Sequence, residues 1–479
     1  VASLTVSDRV PLKGSTDGRV FELVFLDVAS PTGTLTTYVM PVCADSSGHI
    51  EECSARPEFW RALLGELQSS PDGIESQGLS RLVLRRIGDD SREIDDRRIT
   101  IHSAEQSNTS VVLGESHFLK LFRRPGSGVN PDVEICSFFS TQTSFTNSPR
   151  VEAVVELVSD DGEQTRCIAM ISELVPCDGD AWQFTLQQIQ KYWEQVADEA
   201  SVREIDPAAD WRAELQTGIL QKQSVWEQQL FAGFLDDARL LGRRTAELHA
   251  ALASCSTEPA FAPEPLQGED WQGLLDGIEQ ELGTTCDLIV RVGLPGIDAA
   301  ETAKQLMEHG RRKLAGLREW SPGSCGAMST RCHGDYHLGQ VLRSADDFVI
   351  IDFEGEPDRA LLERREKRSP LKDVAGMIRS LHYASNAAAV GLVASPASSI
   401  VEPERWQTYW YERCVSELLA GYRATVTEAG VVPESSDDFL VLLDAFLIEK
   451  VLYELRYEIN NRPDWIAIPL RGLSSVLGL

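Results

Sequence analysis

The stretch Arg331–Pro357, RCHGDYHLGQVLRSADDFVIIDFEGEP, constrains this chain more than any other. It sets two acidic centres, an amide and two histidines into a pattern that reads as strand, loop, strand. His333-Gly334-Asp335 is followed five residues later by Gln340. The apolar run Val349-Ile350-Ile351 then leads into Asp352-Phe353-Glu354, as a buried strand opens onto a polar turn. A lone His-Gly-Asp would read as a turn with local hydrogen bonds. The full ordered set asks for more.

A loop Asp, an amide five residues on, and a second Asp after a buried strand suit phosphoryl transfer of the protein-kinase type. In that chemistry the first Asp accepts the proton of the acceptor hydroxyl, while the amide and the second Asp hold metal on the nucleotide. Upstream, Lys120 sits inside the apolar strand His117-Phe118-Leu119-Lys120-Leu121-Phe122, where a charge needs a reason. Either it faces outward on an edge strand, or it holds the nucleotide phosphates and pairs with a helix carboxylate. Glu134 is the expected partner, on a helix capped by Asn130 and opened by Pro131. Ser107-Asn108-Thr109-Ser110, before the strand Val111–Leu113, reads as a polar turn that offers backbone N–H groups to phosphates, or as a plain hairpin turn. Glu173 and Val175 stand where a hinge would present backbone groups to adenine.

At 479 residues the chain suggests more than one domain. Its net charge of −29 repels polyanions, so nucleic acid and anionic membranes are not expected partners. No run approaches the ~20 apolar residues of a membrane span. Ten scattered cysteines without a CxxC fit reduced thiols, and a cytoplasmic location is expected. Val1 rather than Met opens the sequence, which fits trimming or a start inside a longer product.

Residues 1–90 read as an N-terminal mixed cap, with strands at 20–26 and 35–41 and a helix at 57–68. Residues 91–177 read as a β-rich part with one helix, closed by strands at 151–157 and 167–174. Residues 178–479 read as mainly helical, with apolar positions at three-and-four spacing over 184–197 and 211–253 and a long amphipathic helix over 436–460. His249 there reads as a helix-packing histidine. Asp373, just after Ser369-Pro370 at a helix start, is placed to tie the backbone of the 333–335 loop. Lys450, Tyr453, Glu454 and Tyr457 share helix faces by their spacing of four, giving a polar aromatic surface suited to a sugar ring or simply to solvent.

These segments together resemble the bacterial maltokinases, within the aminoglycoside-phosphotransferase-like kinases. The motifs carrying the likeness are Glu105–Ser110, Leu119–Arg124, Asn130-Pro131-Asp132, His333–Leu342, Ile351–Pro357, Ser369–Met377 and Asn461-Arg462-Pro463-Asp464-Trp465. The resemblance implies an α+β, two-lobed protein-kinase-like fold with an N-terminal cap, a β-rich N-lobe and a helical C-lobe. It implies ATP-dependent phosphorylation of maltose at the anomeric hydroxyl, with trehalose synthase as a partner or fusion. Another small sugar or amino sugar, such as glucosamine or an aminoglycoside, is the alternative acceptor. Carried onto this sequence, Asp335 is the catalytic base, and Gln340 and Asp352, with Glu354 nearby, hold Mg2+. Lys120, oriented by Glu134, holds the ATP phosphates. His337, Lys450, Tyr453, Tyr457 and Arg462 are the sugar contacts. Tyr336 departs from the leucine common in the family, and its ring is expected to alter the acceptor pocket.

Overall fold

Alternating apolar residues build the first sheet. In strand β2 (Arg19–Ala29), Phe21, Leu23 and Phe25 are buried, so every second side chain points one way. Their cover is helix α1 (Pro57–Ser69), opened by Pro57 and burying Phe59, Trp60, Leu63, Leu64 and Leu67 at helical spacing. A computed structural model describes residues 3–16, 18–31, 35–88, 93–95, 97–102, 108–199, 210–294, 296, 298–357, 359–394, 400 and 402–479. It divides into two compact units, 1–176 with 352–364, and 177–351 with 365–479.

In the first unit, β1 (Ser3–Thr16), β2, β3 (Leu35–Ala44) and β4 (Ile50–Glu52) form an antiparallel sheet in sequence order. A second sheet has seven strands in the order β5-β6-β10-β11-β9-β8-β7. These are β5 (Ile74–Glu75), β6 (Ser80–Arg86), β7 (Ile99–His102), β8 (Asn108–Leu113), β9 (His117–Phe122), β10 (Val151–Ser159) and β11 (Thr165–Glu173). Helix α2 (Pro131–Gln142) lies in the chain between β9 and β10. β5 and β6, expected in the cap, pair through β10 into this second sheet. The reason is apolar continuity: Leu82, Val111, Leu119, Leu121, Val155 and Ile171 share one core with the residues under α1.

The second unit is helical, as the three-and-four spacing predicts. It contains α3 (Ala181–Glu199), α4 (Trp211–Thr217), α5 (Val225–Leu230), α6 (Phe234–Leu252), the short strand β12 (Glu264–Pro265), α7 (Gly268–Val292) and α8 (Ala299–Arg318). Next come β13 (Met328–Ser329), the hairpin β14 (Val341–Ser344) and β15 (Asp347–Ile350), and, returning to the first unit, α9 (Leu361–Arg364). Helices α10 (Leu371–Ser385), α11 (Pro403–Val426), α12 (Ser436–Asn461) and α13 (Ala467–Leu477) complete it. α6 and α11 approach backbone to backbone: a Cβ on Gly242 would lie 1.9 Å from the Leu418 carbonyl oxygen, and one on Gly421 2.0 Å from that of Arg239. Among the described residues no helix is long and apolar enough to cross a membrane.

Candidate active site

Lys120 is not on an edge strand. β9 lies between β8 and β11, with Lys120 opposite Ser110 and Met170, and only 6 % of it is exposed. A buried ammonium must be paired, and three carboxylates pair it: Nζ lies 2.9 Å from Asp132, 2.6 Å from Asp352 and 2.7 Å from Glu354. Burial alone would lower the lysine's pKa, but the three anions outweigh it and hold the group charged. Burial likewise pushes the Glu354 carboxyl up, against the pull of Lys120.

The helix partner is therefore Asp132, not the expected Glu134. Asn130 caps α2 by accepting from the Asp132 and Val133 N–H groups, and Pro131 opens its first turn. Helical residues two positions apart differ by about 200° around the axis, so when Asp132 turns inward Glu134 cannot. Asp132 also accepts from the Phe353 N–H at 3.0 Å, which fastens the 352–354 segment to α2. Asp352 has φ of +66°, the left-handed region that a non-glycine residue seldom adopts.

Asn108, Thr109 and Ser110 lie in a strand and not in the expected turn. All three begin β8 with buried side chains. Asn108 donates to Glu354 at 2.8 Å, and Thr109 accepts from Arg123 at 2.8 Å. The β-branched and apolar run that follows extended the strand backwards across the polar residues, because each finds a hydrogen-bond partner there. Ser107 lies outside the described residues. At the expected hinge, the Glu173 N–H donates to the Arg150 carbonyl and the Leu174 N–H to that of Ser116. Val175 follows two residues before the first unit gives way to the second.

The second unit holds the His-Gly-Asp loop. Asp373, in the first turn of α10, is buried and accepts from the His333 N–H at 2.8 Å and the Gly334 N–H at 3.0 Å, one amide per oxygen. His333 Nε2 contacts the Ile351 carbonyl at 2.9 Å. A carbonyl only accepts, so that nitrogen carries the proton. Asp335 accepts from Lys450 Nζ at 3.1 Å. Burial pushes the Asp335 carboxyl up, but Lys450 and the neighbouring histidines more than offset it and hold it down at about 2. His337 accepts from the Gly339 N–H and caps the turn 338–340. The backbone of Gln340 donates to His337 and accepts from Ile351. Tyr336 turns into the core: it is 1 % exposed, and its hydroxyl meets Thr245 on α6 at 3.0 Å.

On α12 the structure brings Tyr453 and Tyr457 into a stack, with ring centroids 6.4 Å apart. Lys450 lies over Tyr453 at 5.2 Å, and Arg462 over Tyr457 at 5.2 Å and Trp465 at 4.6 Å. The Arg462 guanidinium is bidentate to Glu458, at 2.9 and 2.8 Å, so its charge is already compensated. Sequence reasoning missed Asp132 and the Asn108–Glu354 bond. Asp132 left a signal, since an Asp two residues after a capping Asn is a first-turn acid. The Asn108 contact left none, because 246 residues separate the partners.

Carboxylate oxygens of Asp132, Asp352 and Glu354 lie within 4.8 Å of one another. Three hard oxygen donors with a single lysine among them leave an excess of negative charge, so this donor set fits Mg2+.

No family model matches this chain. Curated relatives include the glucosamine kinase of Streptacidiphilus jiangxiensis, 23 % identical over 381 residues covering 78 % of this chain and 72 % of the relative. The glucosamine kinase of Mycolicibacterium smegmatis (strain ATCC 700084 / mc(2)155) is 24 % identical over 443 residues, 91 % of this chain and 92 % of the relative. A solved glucosamine kinase in complex with glucosamine, ADP and inorganic phosphate superposes with a TM-score of 0.64 at 19 % identity, over 99 % of this chain and 94 % of that one. The fold is the kinase-like fold of these proteins. That kinship covers the expected α+β class, with its β-rich N-terminal part and helical C-terminal part.

Proposed function

We propose that this chain is an ATP-dependent kinase that transfers the γ-phosphoryl group to a hydroxyl of a small sugar. The observation that carries this reading is the buried Lys120 held by Asp132, Asp352 and Glu354. A central strand spends a lysine and three acids there, which core packing alone does not require. Lys120 neutralises phosphate oxygens, and Asp132 keeps its ammonium in place. Asp352 and Glu354 would hold Mg2+, which would supply charge neutralisation on the phosphates when bound with the nucleotide. Asp335, kept ionised, accepts a hydrogen bond from the acceptor hydroxyl and then its proton. Glu173 and Val175 contribute backbone groups toward adenine. ATP use and unpaired cysteines favour the cytoplasm.

The two curated relatives described above are named glucosamine kinases, which favours glucosamine as the acceptor. A specific observation keeps maltose as the second reading. The strip from Lys450 to Arg462 pairs stacked tyrosines with cations, and twelve helical residues span about 18 Å. A neutral disaccharide suits such a surface better than an amino sugar, whose ammonium wants a carboxylate. Under that reading the product would be maltose 1-phosphate, and association with a trehalose synthase becomes worth testing. Magnesium-dependent ADP release should be measured over glucosamine, maltose, glucose and kanamycin. A single preferred sugar supports the proposal and names the acceptor; no magnesium-dependent turnover with any of them sinks it.

A further inference from the structure

Two polar side chains break the apolar face of the second sheet. His117, Leu119 and Leu121 alternate along β9, and the two leucines belong to the core shared with the residues under α1. His117 is fully buried, and its Nε2 lies 2.9 Å from the buried Glu152 carboxylate. A carboxylate only accepts, so Nε2 carries the proton and donates to it. Nδ1 meets the Ser116 hydroxyl at 2.9 Å. Glu152 reaches His117 through a departure from regular pairing. β10 sets Val151 against Ser172 and Ala153 against Ile171, two steps against one, so Glu152 is the extra residue of a β-bulge. Ala153 belongs to the same core, so plain alternation would turn Glu152 to the opposite face. The bulge turns it toward His117 instead.

β9 and β10 are not neighbours, because β11 runs between them. Strands two apart lie about 9–10 Å from each other, so only side chains meeting over β11 tie them directly. They meet at the end of β11, where His117 pairs with Glu173 in the ladder. There the Leu174 N–H donates to the Ser116 carbonyl and the Glu173 N–H to the Arg150 carbonyl, at 2.8 Å each. Ser116 directly precedes His117, and Arg150 lies two residues before Glu152. We propose that the His117–Glu152 pair is a clamp that positions the backbone of 173–175 for a purine base. It fixes the spacing of the two carbonyls that hold Glu173 and Leu174 from either side. The purine part rests on the kinase reading above, which assigns backbone groups of Glu173 and Val175 to adenine; the hold on the backbone does not. Core packing alone gives no reason for the pair, since apolar side chains of similar volume are often neutral or stabilising in such a place. Both residues act through the backbone and are positioning residues.

The test uses Glu152→Leu, Glu152→Gln and the double variant His117→Leu with Glu152→Leu, all in the full chain. Leucine removes the acceptor, whereas the glutamine amide oxygen still accepts from Nε2. Three quantities are read: amide hydrogen exchange of the peptide containing residues 173–175, the Kd of MgADP, and the Kd of magnesium tripolyphosphate, which offers phosphates without a base. In Glu152→Leu the 173–175 amides should exchange about tenfold faster, and MgADP should bind about tenfold more weakly. Tripolyphosphate should bind as it does to the parental protein, because Lys120 and its carboxylates are untouched. Glu152→Gln should recover most of both losses. If the single leucine variant does not fold, the double variant, which strands neither partner, decides on the same readouts and should show the same losses. Parental exchange and parental MgADP affinity in a folded variant without the pair would overturn the proposal. So would equal weakening of MgADP and tripolyphosphate, or equal losses in the leucine and glutamine variants. If the parental protein bound MgADP no more tightly than tripolyphosphate, the adenine assignment would fail by itself, and exchange over 173–175 would still decide whether the clamp holds the backbone.

Discussion

Asp335 carries its charge because of Lys450, and this sets two expectations. With its pKa held at about 2, below the ordinary 3.8, Asp335 adds stability that is fully present above 3.8 and is lost only as pH falls through 2. Turnover of the parental protein should therefore show no acid limb from this group in the range where the protein is folded. Lys450→Met removes the largest lowering influence and leaves burial to dominate, so an acid limb should appear at higher pH in a kcat/KM profile. Asp335→Asn should lower kcat by roughly 10²- to 10⁴-fold while a titration with ATP shows near-parental affinity; turnover at the parental rate would remove Asp335 from the role of base. Lys120→Met strands three carboxylates, Asp132 buried and Asp352 and Glu354 half-buried. Losing one partner of such a cluster costs about 3–5 kcal/mol, to be read by urea unfolding at neutral pH, with MgATP binding weakened as well.

At the scale of elements, α2 and the α6–α11 pair bear the geometry. The Asn130 side chain satisfies two N–H groups at the start of α2, so Asn130→Ala should cost about 1 kcal/mol and loosen Asp132, two residues on. Gly421→Ala would drive a Cβ into the Arg239 carbonyl. Helices packed at that distance must move apart, and overpacking of this kind costs about 1–3 kcal/mol; a thermal melt should show the drop. Most elements were legible in the sequence. α1 begins at the predicted proline, β9 covers the predicted strand 117–122, and α12 covers the predicted segment 436–460. The expected single helical run over 211–253 is instead three helices. It breaks at Gly218 and again around Ala232-Gly233, both at positive φ, where the chain leaves the helical region that the apolar spacing alone would continue.

For the molecule as a whole, the net charge of −29 is the term that acts at long range. It opposes the approach of ATP, also an anion, so screening should help binding. Raising ionic strength from about 0.01 to 0.15 M shortens the Debye length from roughly 30 to 8 Å, and KM for MgATP should fall over that interval. A KM that rises instead would mean that local cations, Lys120 foremost, dominate the field at the site. The chain path was the least legible property at this scale. Residues 352–364 return to the first unit after 175 residues of the second. Nothing in local spacing marks that return, because it depends on Asp352, Phe353 and Glu354 finding Lys120, Asp132 and Asn108.

The sequence by itself determined which residues are proposed to carry the chemistry and most of the elements that bear them. Periodicity and capping are local, and the spacing Asp335, Gln340, Asp352 is written in one dimension. Only the tertiary structure decided the partners. It chose Asp132 over Glu134, because a helix turns 100° per residue and only one of the two can face the sheet. It turned Asn108 from a loop residue into a brace for Glu354, sent Tyr336 inward, and linked His249 to the 333–335 loop through Asp373. Each of these rests on burial, where an ammonium, amide, hydroxyl or imidazole must be satisfied by whatever side chain the fold brings near, however distant in sequence.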